Sequence, residues 1–424
     1  MKDDFNTKEE CAKTLDEQDP IAEYRSKFFI PKNKIYVDGN SLGLMPKLSE
    51  KTLLRIIDEW KTLAIDGWLD AEKPWFFFSE DLGAQIAPIV GAKPEEVVAT
   101  GTTTVNLHAL ISSFYKPKEG CSKILADELN FPTDIYALKS QVALKGYNPE
   151  TNLILTPSKD GRILAENDII DLMSDDVALI VLPSVLYRSS QLLDIPRLTK
   201  EAHKRDIKIG FDCSHSVGVV PHKFNEWNVD FAFWCSYKYL NGGPGAPAFL
   251  YVNKKHFNEY PGLAGWFGNN KETQFNMSLD FEPASSAGRW QISSPGIIGA
   301  AAIEGSLAIT LDAGIKNIRN KSLKLTSYLI YLVDELLAKE PYNIIIGTPR
   351  DSNRRGGHIA LERDEFAFEI SEALKTHNII PDFRPKNIIR IAPVALYNTY
   401  HDVWTVVQIL KKIIDEKEYK QFIK

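Results

Sequence analysis

The stretch Ile207–Gly245, IKIGFDCSHSVGVVPHKFNEWNVDFAFWCSYKYLNGGPG, decides the fold because it contains two apolar runs that each lead into polar residues. The run Ile207–Phe211 predicts a buried strand that delivers Asp212 to the strand end. The run Val229–Cys235 predicts a second strand, followed by Lys238 and a glycine-rich turn. If the two strands are parallel, both side chains lie at one edge of the sheet, where open α/β folds place their sites.

A carboxylate and a lysine at one strand edge are the pair that a pyridoxal phosphate site requires. The lysine forms a Schiff base with the cofactor, and the acid pairs with the pyridinium nitrogen, which keeps the ring electron-withdrawing. Each residue alone is explained more simply as a solvated strand-end side chain. Together, in this strand context, Asp212 and Lys238 predict pyridoxal 5′-phosphate as the cofactor, and we predict no metal site.

Strand and helix patterns alternate from about Val97 to Val252, which predicts βαβ units and an α/β fold with a mainly parallel sheet. The predicted strands are Lys123–Ala126, Leu153–Thr156, Val177–Leu182, Ile207–Phe211, Val229–Cys235 and Ala248–Val252. The predicted helices include Ser49–Ala64, Thr104–Tyr115, Thr133–Lys145 and Pro196–Lys204.

The two ends of the chain predict a second, smaller α+β domain. One long helical stretch, Ile297–Lys339, is followed by short strand-like runs and a final helix, His401–Lys417. The strand-like runs are Asn343–Gly347, His358–Leu361 and Ile388–Pro393. We assign residues 50–296 to a large cofactor-binding domain, and residues 1–49 together with 297–424 to the small domain.

The composition is ordinary for a globular protein, with 44% hydrophobic and 25% charged residues. A net charge of −6 argues against nucleic-acid or membrane-surface partners, which usually need a basic patch. No apolar run approaches the roughly 20 residues that span a bilayer, and the polar N-terminus lacks the apolar core of a signal peptide. The four cysteines show neither metal-ligand nor disulfide spacing, so we predict a reducing, cytoplasmic location.

Several long motifs resemble kynureninase, a fold-type I pyridoxal-phosphate hydrolase of tryptophan catabolism. The likeness covers nearly the whole chain in one order. The motifs are GFDCSHSVGVVPH (Gly210–His222), FWCSYKYLNGGPG (Phe233–Gly245), YVDGNSLGLMP (Tyr36–Pro46), TVNLHALISSFY (Thr104–Tyr115), NFPTD (Asn130–Asp134), GWFG (Gly265–Gly268) and IRIAPVALYNTYHDVW (Ile389–Trp404). The resemblance implies a seven-stranded-type sheet, a homodimer with shared active sites, and cleavage of the amino acid L-kynurenine to anthranilate and L-alanine in a pathway that also feeds NAD biosynthesis.

The resemblance also implies the site residues, each of which matches a family motif in this chain. The expected catalytic residues are Lys238, Tyr237 and Asp212. The expected cofactor-binding residues are Thr103, Thr104, Phe131, Pro132, Thr133, Asp134, Asp212, His215, Tyr237, Lys238, Trp266 and Ser294, the last two arriving from the partner subunit. The expected substrate-binding residues are Arg390, Trp68 and Ser41.

Local chemistry supports some of these roles and leaves alternatives open. Thr103 and Thr104 follow a glycine at a helix start, where hydroxyls and free N–H groups either bind a phosphate or cap the helix. Phe131 can stack on a pyridine ring, whereas Asp134 equally suits a helix-capping acid. Tyr237 is adjacent to the lysine, so both side chains can face the cofactor only if the chain turns there.

Arg390 is a basic residue between two isoleucines in a strand-like run. Burying it without a partner would be costly, and a substrate carboxylate is the bidentate partner that guanidinium geometry suits. The alternative is a structural salt bridge.

The aromatic stretch Gly67–Phe78 also has two interpretations. It is either a packed flap or an aryl-binding wall that includes Trp68.

The sequence departs from the family after the predicted strand Val177–Leu182. Pro183 replaces a hydroxyl residue, Leu186 a polar side chain and Ser190 a glycine, and Asn269 stands where histidine often follows GWFG. These changes leave the cofactor residues intact and bear on the substrate.

Two other classes of function remain alternatives. A desulfurase needs a mobile catalytic cysteine, and none of the four cysteines lies in an obvious Gly/Ser-rich loop, whereas an aminotransferase would share the same core residues. A non-catalytic binding protein on this scaffold would be expected to lose Lys238 or Asp212, and both are present. The sequence leaves open the choice between kynurenine and 3-hydroxykynurenine, although Trp68 favours the unsubstituted ring.

Overall fold

A computed structural model describes residues 5–423. The strands are β1 (Ile35–Tyr36), β2 (Val97–Thr100), β3 (Lys123–Asp127), β4 (Leu153–Thr156), β5 (Val177–Pro183), β6 (Lys208–Asp212), β7 (Phe231–Trp234), β8 (Ala248–Val252), β9 (Ile345–Ile346), β10 (Ile359–Glu362), β11 (Ile379–Ile380), β12 (Asp382–Arg384) and β13 (Ile388–Ile391). The α-helices are α1 (Glu9–Glu17), α2 (Lys47–Leu63), α3 (Gly67–Asp70), α4 (Phe78–Val90), α5 (Thr103–Phe114), α6 (Pro132–Leu144), α7 (Pro149–Asn152), α8 (Glu166–Asp171), α9 (Ile195–His203), α10 (Ile297–Ala313), α11 (Ile315–Leu336), α12 (Ala367–Thr376) and α13 (Tyr400–Asp415).

A seven-stranded sheet with the order β2-β8-β7-β6-β5-β3-β4 forms the centre of the molecule. Its pairings are parallel except those of β8, which runs antiparallel to both β2 and β7. The predicted α/β fold with a mainly parallel sheet is therefore confirmed. The predicted strands do not include β2, although the alternating region is predicted to begin at about Val97.

Both faces of this sheet are covered by helices, as expected for strands that read as continuous apolar runs. Leu82 of α4, Leu198 of α9 and Ile303 of α10 belong to the buried cluster on one face. Leu110 of α5 and Leu138 of α6 belong to the cluster on the other face. The sheet is thus packed between two apolar layers, and most of its strand residues are buried.

The carboxyl ends of β2, β3, β5, β6 and β7 meet at one edge of the sheet because these strands run in the same direction. Thr103 follows β2, Phe131 follows β3 and Tyr187 follows β5. Asp212 ends β6, and Lys238 follows β7. Residues that are far apart in the chain therefore converge at this edge.

A smaller antiparallel sheet with the order β12-β13-β10-β9 lies in the C-terminal part of the chain. Leu325 of α11, Ile370 of α12 and Val407 of α13 pack in its core. The N-terminal segment joins it, because β1 pairs with β11 and Asp38 bridges to Ala392. We propose that these elements form the small domain, with the boundaries given above; the predictions for residues 1–4 and 424 lie outside the described residues.

The predicted helical stretch Ile297–Lys339 is two helices, α10 and α11, which meet at an angle of 79°. Gly314 lies at the break with φ +76°, a left-handed value that favours glycine. Within residues 5–423 no single helix is both long and apolar enough to cross a membrane, and α10 and α11 reach that composition only as a bent pair.

A buried acid, Asp230, links several residues at the opposite edge of the large sheet, where β6 and β7 begin. The Asp230 carboxylate accepts hydrogen bonds from His203 Nε2 at 2.9 Å, His256 Nε2 at 2.8 Å and the Ile209 N–H at 2.8 Å, and Lys255 Nζ lies 2.7 Å away. Burial alone would raise the pKa of Asp230, but its hydrogen-bonded and cationic partners outweigh burial and hold that pKa well below its usual range.

Asp230→Asn is expected to lower the free energy of unfolding at pH 7 by about 3 kcal/mol, the cost typical of breaking a buried ion pair. Because the native pKa is depressed, the carboxylate stabilises the fold above the unfolded-state pKa of about 3.9, and this contribution is lost as the pH falls through the native value. The difference between wild type and variant should therefore shrink on acidification, as measured by denaturant titration.

Asp415→Asn is the matched control, since Asp415 pairs with Lys411 on the surface. Exposed pairs of this kind contribute about 0–1 kcal/mol. Equal destabilisation by the two variants would contradict a special role for Asp230.

Candidate active site

A cavity of about 300 Å³ opens at the carboxyl edge of the large sheet. It is lined by Asn40, Ser41, Thr103, Thr104, Phe131, Thr133, Asp134, Tyr187, Asp212, Ser214, His215, Tyr237, Lys238 and Arg384. The structure therefore brings together most of the residues that the sequence predicted for the cofactor. It also places Ser41, a predicted substrate residue, in the same cavity.

The chain turns directly after β7, so Tyr237 and Lys238 both face the cavity even though they are neighbours in sequence. The turn is fixed from outside by the N-terminal segment, where the Gly43 N–H donates to the Tyr237 carbonyl at 2.7 Å. A Cβ atom at Gly43 would lie 2.4 Å from the Lys238 carbonyl oxygen, so only glycine allows this close approach.

Lys238 lies beside a neutral imidazole. Lys238 Nζ is 3.0 Å from His215 Nε2. Burial, and then the nearby charges of Lys238 and Arg390, keep the pKa of His215 well below its usual range, so the ring is an acceptor for the lysine ammonium. His215 Nδ1 is buried and has no hydrogen-bond partner within the described chain, which leaves it available to a bound group.

Two buried carboxyl groups, Asp134 and Asp212, face Lys238. Together they are most stable with a single negative charge. Burial, followed by the neighbouring Asp212 and Asp127 carboxylates, raises the pKa of Asp134 well above its usual range. Burial also raises the pKa of Asp212, but the Lys238 charge and the Ser214 N–H at 2.9 Å oppose it. The proton therefore rests on Asp134, and Asp212 keeps the charge that a pyridinium nitrogen needs.

Two helix N-termini meet at another wall of the cavity. Thr103 and Thr104 begin α5, and Thr133 lies in the first turn of α6 behind Pro132, which is the first residue of that helix. The Thr104 and Thr133 hydroxyl oxygens are 3.0 Å apart. Free N–H groups, two helix dipoles and paired hydroxyls suit a phosphate, and no side chain caps either helix.

An aromatic platform lies between these groups. The Phe131 ring is 39% exposed, and its centroid is 6.0 Å from Lys238 Nζ. Tyr187 supports it edge-on, with ring centroids 5.2 Å apart and an interplanar angle of 90°. A flat ring joined to Lys238 can therefore rest on Phe131.

Arg390 lies behind the cavity wall and is 1% exposed. Its Nε donates to Asp382 Oδ2 at 2.5 Å and its Nη1 donates to the Tyr187 carbonyl at 2.6 Å, while Nη2 contacts Ser41 Oγ at 3.3 Å and pairs with Asp382. The salt bridge considered as the alternative for Arg390 is thus present. Its contact with Ser41 also places its charge next to the cavity.

Trp68, Trp266 and Ser294 lie together in a second cavity of about 420 Å³, separate from the one that holds Lys238. Much of its wall is aromatic: the Trp68 ring centroid is 5.8 Å from that of Phe267, and Phe76 and Phe275 also line it, beside the polar Asp66 and Asp70. Within one chain, Trp68, Trp266 and Ser294 therefore do not line the cavity that holds Lys238.

The residues that depart from the family pattern make structural contacts and do not line the cavity. Leu186 is fully buried in the large core, so it does not add apolar surface to the cavity. Ser190 takes the glycine position with φ +64°, and its carbonyl accepts the Gly356 N–H at 2.7 Å. Pro183 ends β5 opposite Asp212, and Asn269 Oδ1 accepts the Glu282 N–H at 2.9 Å.

Sequence reasoning missed four lining residues: Asn40, Tyr187, Ser214 and Arg384. Ser214 lies between Asp212 and His215, so its position in the motif was the available signal. Arg384 alternates with Asp382 just before the predicted run Ile388–Pro393, and that period of two was the signal for a strand whose charges share a face.

The fold and the cavity define a fold-type I pyridoxal-phosphate-dependent enzyme, because the lysine, the buried acid and two helix N-termini that suit a phosphate occupy one sheet edge. The chain has the same fold as the cysteine desulfurase of Thermococcus onnurineus NA1, with a TM-score of 0.78 at 18% identity over 93% of this chain and 98% of that one.

The particular family is identified by sequence. The family model described as kynureninase C-terminal domain matches residues 318–410. A kynureninase of Geobacillus thermodenitrificans is 58% identical over 97% of this chain and 96% of that protein, and one of Bacillus cereus is 54% identical over 99% and 98%. The chain belongs to the kynureninase family, which confirms the resemblance drawn from its motifs.

Gly43→Ala is expected to displace the lysine turn, because its new Cβ would clash with the Lys238 carbonyl. We expect weaker cofactor binding, measured as a rise in the pyridoxal phosphate concentration that gives half-maximal absorbance of the holoenzyme. The same change at Gly296, where an added Cβ would have no neighbouring atom of the described chain within 4 Å, is the control. Unchanged cofactor binding in Gly43→Ala would show that the turn does not depend on this contact.

Proposed function

We propose that this chain hydrolyses the Cβ–Cγ bond of L-kynurenine, giving anthranilate and L-alanine. The observation that carries the proposal is the Lys238–His215–Asp212 group at the sheet edge of a kynureninase-family chain. Bound pyridoxal phosphate supplies the electron sink for breaking bonds at the substrate's Cα and Cβ. Water supplies the remaining atoms, so that the reaction consumes one water for each bond cleaved.

Different residues of the cavity bind the cofactor and transfer protons. Lys238, once displaced from the cofactor, is the base and acid at the substrate's Cα, and neutral His215 accepts its hydrogen bond. Burial raises the pKa of the Tyr237 phenol, which therefore stays protonated and can donate a proton or bind the phosphate. Asp212 holds the ring nitrogen, and Thr103, Thr104, Thr133 and the α6 N-terminus hold the phosphate.

A second copy of the chain completes this site in our proposal. The second cavity carries exposed apolar side chains, among them Ile65 at 74%, Leu69 at 59% and Phe275 at 63% exposure. An apolar patch of this kind is characteristic of an interface. We propose a cytoplasmic homodimer in which the Trp68, Trp266 and Ser294 cavity of one subunit faces the Lys238 cavity of the other, so that Trp68 lies against the substrate's aryl ring.

Lys238→Ala tests the proposed function directly. We expect purified wild-type protein to be yellow and to release fluorescent anthranilate from L-kynurenine, and the variant to lose both the cofactor absorbance and turnover. Lys223→Ala is the matched control, because Lys223 is exposed and its only ion pair within residues 5–423 is with Glu226. A borohydride-reducible adduct on another lysine would rule out the assignment of Lys238, and absence of cleavage by wild type would rule out the function.

Trp68 is expected to set the choice between the two kynurenines. A 3-hydroxyl buried without a partner costs about 1–3 kcal/mol, and the rings that pack against Trp68, those of Trp75 and Phe267, offer aromatic carbon. We therefore expect kcat/KM for kynurenine to exceed that for 3-hydroxykynurenine by about tenfold, and Trp68→His to reduce this ratio. Steady-state kinetics on both compounds measure it, with Trp60→His on an exposed face of α2 as the control. A ratio unaltered in Trp68→His would show that another residue sets the preference.

A further inference from the structure

We propose that Arg384 is a second residue that binds the substrate carboxylate, and that Asp382 is the positioning residue that aligns it beside Arg390. The inference deepens the proposed function, since it rests on an amino acid binding in the Lys238 cavity. It concerns a residue that the sequence motifs did not single out.

The hairpin of β12 and β13 places the three charges on one face. Asp382 is directly opposite Arg390 in the antiparallel register, and Arg384 is opposite Ile388. Asp382 and Arg384 are two positions apart in β12, so their side chains point the same way. The register of two short strands therefore brings two guanidinium groups to one carboxylate.

The two arginines differ in how many of their donors are already used. Arg390 is buried, and its Nε, Nη1 and Nη2 all have partners: Asp382, the Tyr187 carbonyl and Ser41. Arg384 donates only its Nε, to Asp382 Oδ2 at 3.0 Å, among the hydrogen bonds of residues 5–423. Its side chain is 33% exposed and lines the cavity. Of the two arginines, Arg384 is therefore the one that has free Nη atoms at the cavity.

The charge balance of this wall also favours an incoming carboxylate. Arg384 and Arg390 share one oxygen of Asp382, so each guanidinium is only partly compensated. The other nearby carboxyl, Asp38, is largely buried, and burial raises its pKa to about 6; its charge interacts more strongly with the buried Arg390 than with Arg384. A carboxylate placed between Ser41 and Arg384 would meet two parallel N–H donors and a hydroxyl, the arrangement that guanidinium groups bind best.

This geometry assigns different roles to the two arginines. Arg390 supplies buried positive charge and orients Ser41, whereas Arg384 supplies the exposed fork. The phosphate of the cofactor has its own donors at the start of α5 and α6, so the Arg384 wall is left for the substrate.

The test compares two ligands of the holoenzyme, of which only one carries a carboxylate. L-alanine and kynuramine, which is kynurenine without its carboxylate, are titrated against the cofactor absorbance of wild type, Arg384→Gln and Arg384→Lys. We expect Arg384→Gln to raise the Kd of L-alanine about ten- to hundredfold, the loss of a charged hydrogen-bond partner, and to change the Kd of kynuramine less than twofold. Arg384→Lys should recover part of the affinity, because it restores charge without the fork.

Arg350→Gln is the matched control, since Arg350 forms an exposed pair with Asp334 and is expected to change neither Kd. Equal affinity of wild type and Arg384→Gln for L-alanine would overturn the inference, as would equal weakening of both ligands. Loss of cofactor absorbance in Arg384→Gln would also overturn it, in favour of a cofactor contact. The titration needs no turnover, so failure of wild type to cleave kynurenine refutes the proposed function and leaves this test standing.

Discussion

The attraction between the buried Asp212 carboxylate and the Lys238 ammonium is the interaction on which the rest of the site depends. Asp212 is 8% exposed, so its charge is stable only beside a cation and the Ser214 N–H. His215 stays neutral in the same surroundings. Of the two buried carboxyl groups, Asp134 is the protonated one, and Asp212 stays ionised. A cofactor that carries a positive ring nitrogen satisfies the same acid, which explains why a site in which Lys238 offsets this buried charge can also accept pyridoxal phosphate.

The topology of the sheet supplies this arrangement. Six of its seven strands run in one direction, and five of them lead into hydroxyls, an aromatic ring, an acid and a lysine at one edge. The antiparallel strand β8 contributes none of these groups, because its carboxyl end, Val252, lies at the opposite edge, near Asp230. The substrate side is contributed by other parts of the chain: Ser41 follows β1, and Arg384 ends β12. Binding at this cavity therefore joins the two proposed domains.

Sequence patterns predicted the part of this design that is local. The apolar runs before Asp212 and Lys238 are long enough to show strands, and the fixed direction of βαβ units then places both residues at one edge. What could not be predicted depends on long-range packing. The sequence pattern predicts one helical stretch across Gly314, but the chain bends there into two helices. The separation of Trp68 from Lys238 within one chain is set by the three-dimensional path of the chain. Arg384 was missed because it lies in a three-residue strand whose only sequence signal is the alternation of Asp382 and Arg384.

Similarity of fold does not carry the chemistry of the desulfurases to this chain. A desulfurase needs a cysteine that can become a thiolate near the lysine, and no cysteine lines the Lys238 cavity in residues 5–423. Cys213 and Cys235 lie in the strand-end segments closest to it in sequence, but both are buried, and burial raises the pKa of each thiol. A thiol that keeps its proton is a small apolar side chain. Among residues 5–423 the thiolate that a desulfurase needs is thus absent from this cavity, while charged groups for an amino-acid carboxylate are present. The same sheet edge can therefore support cleavage of a different bond.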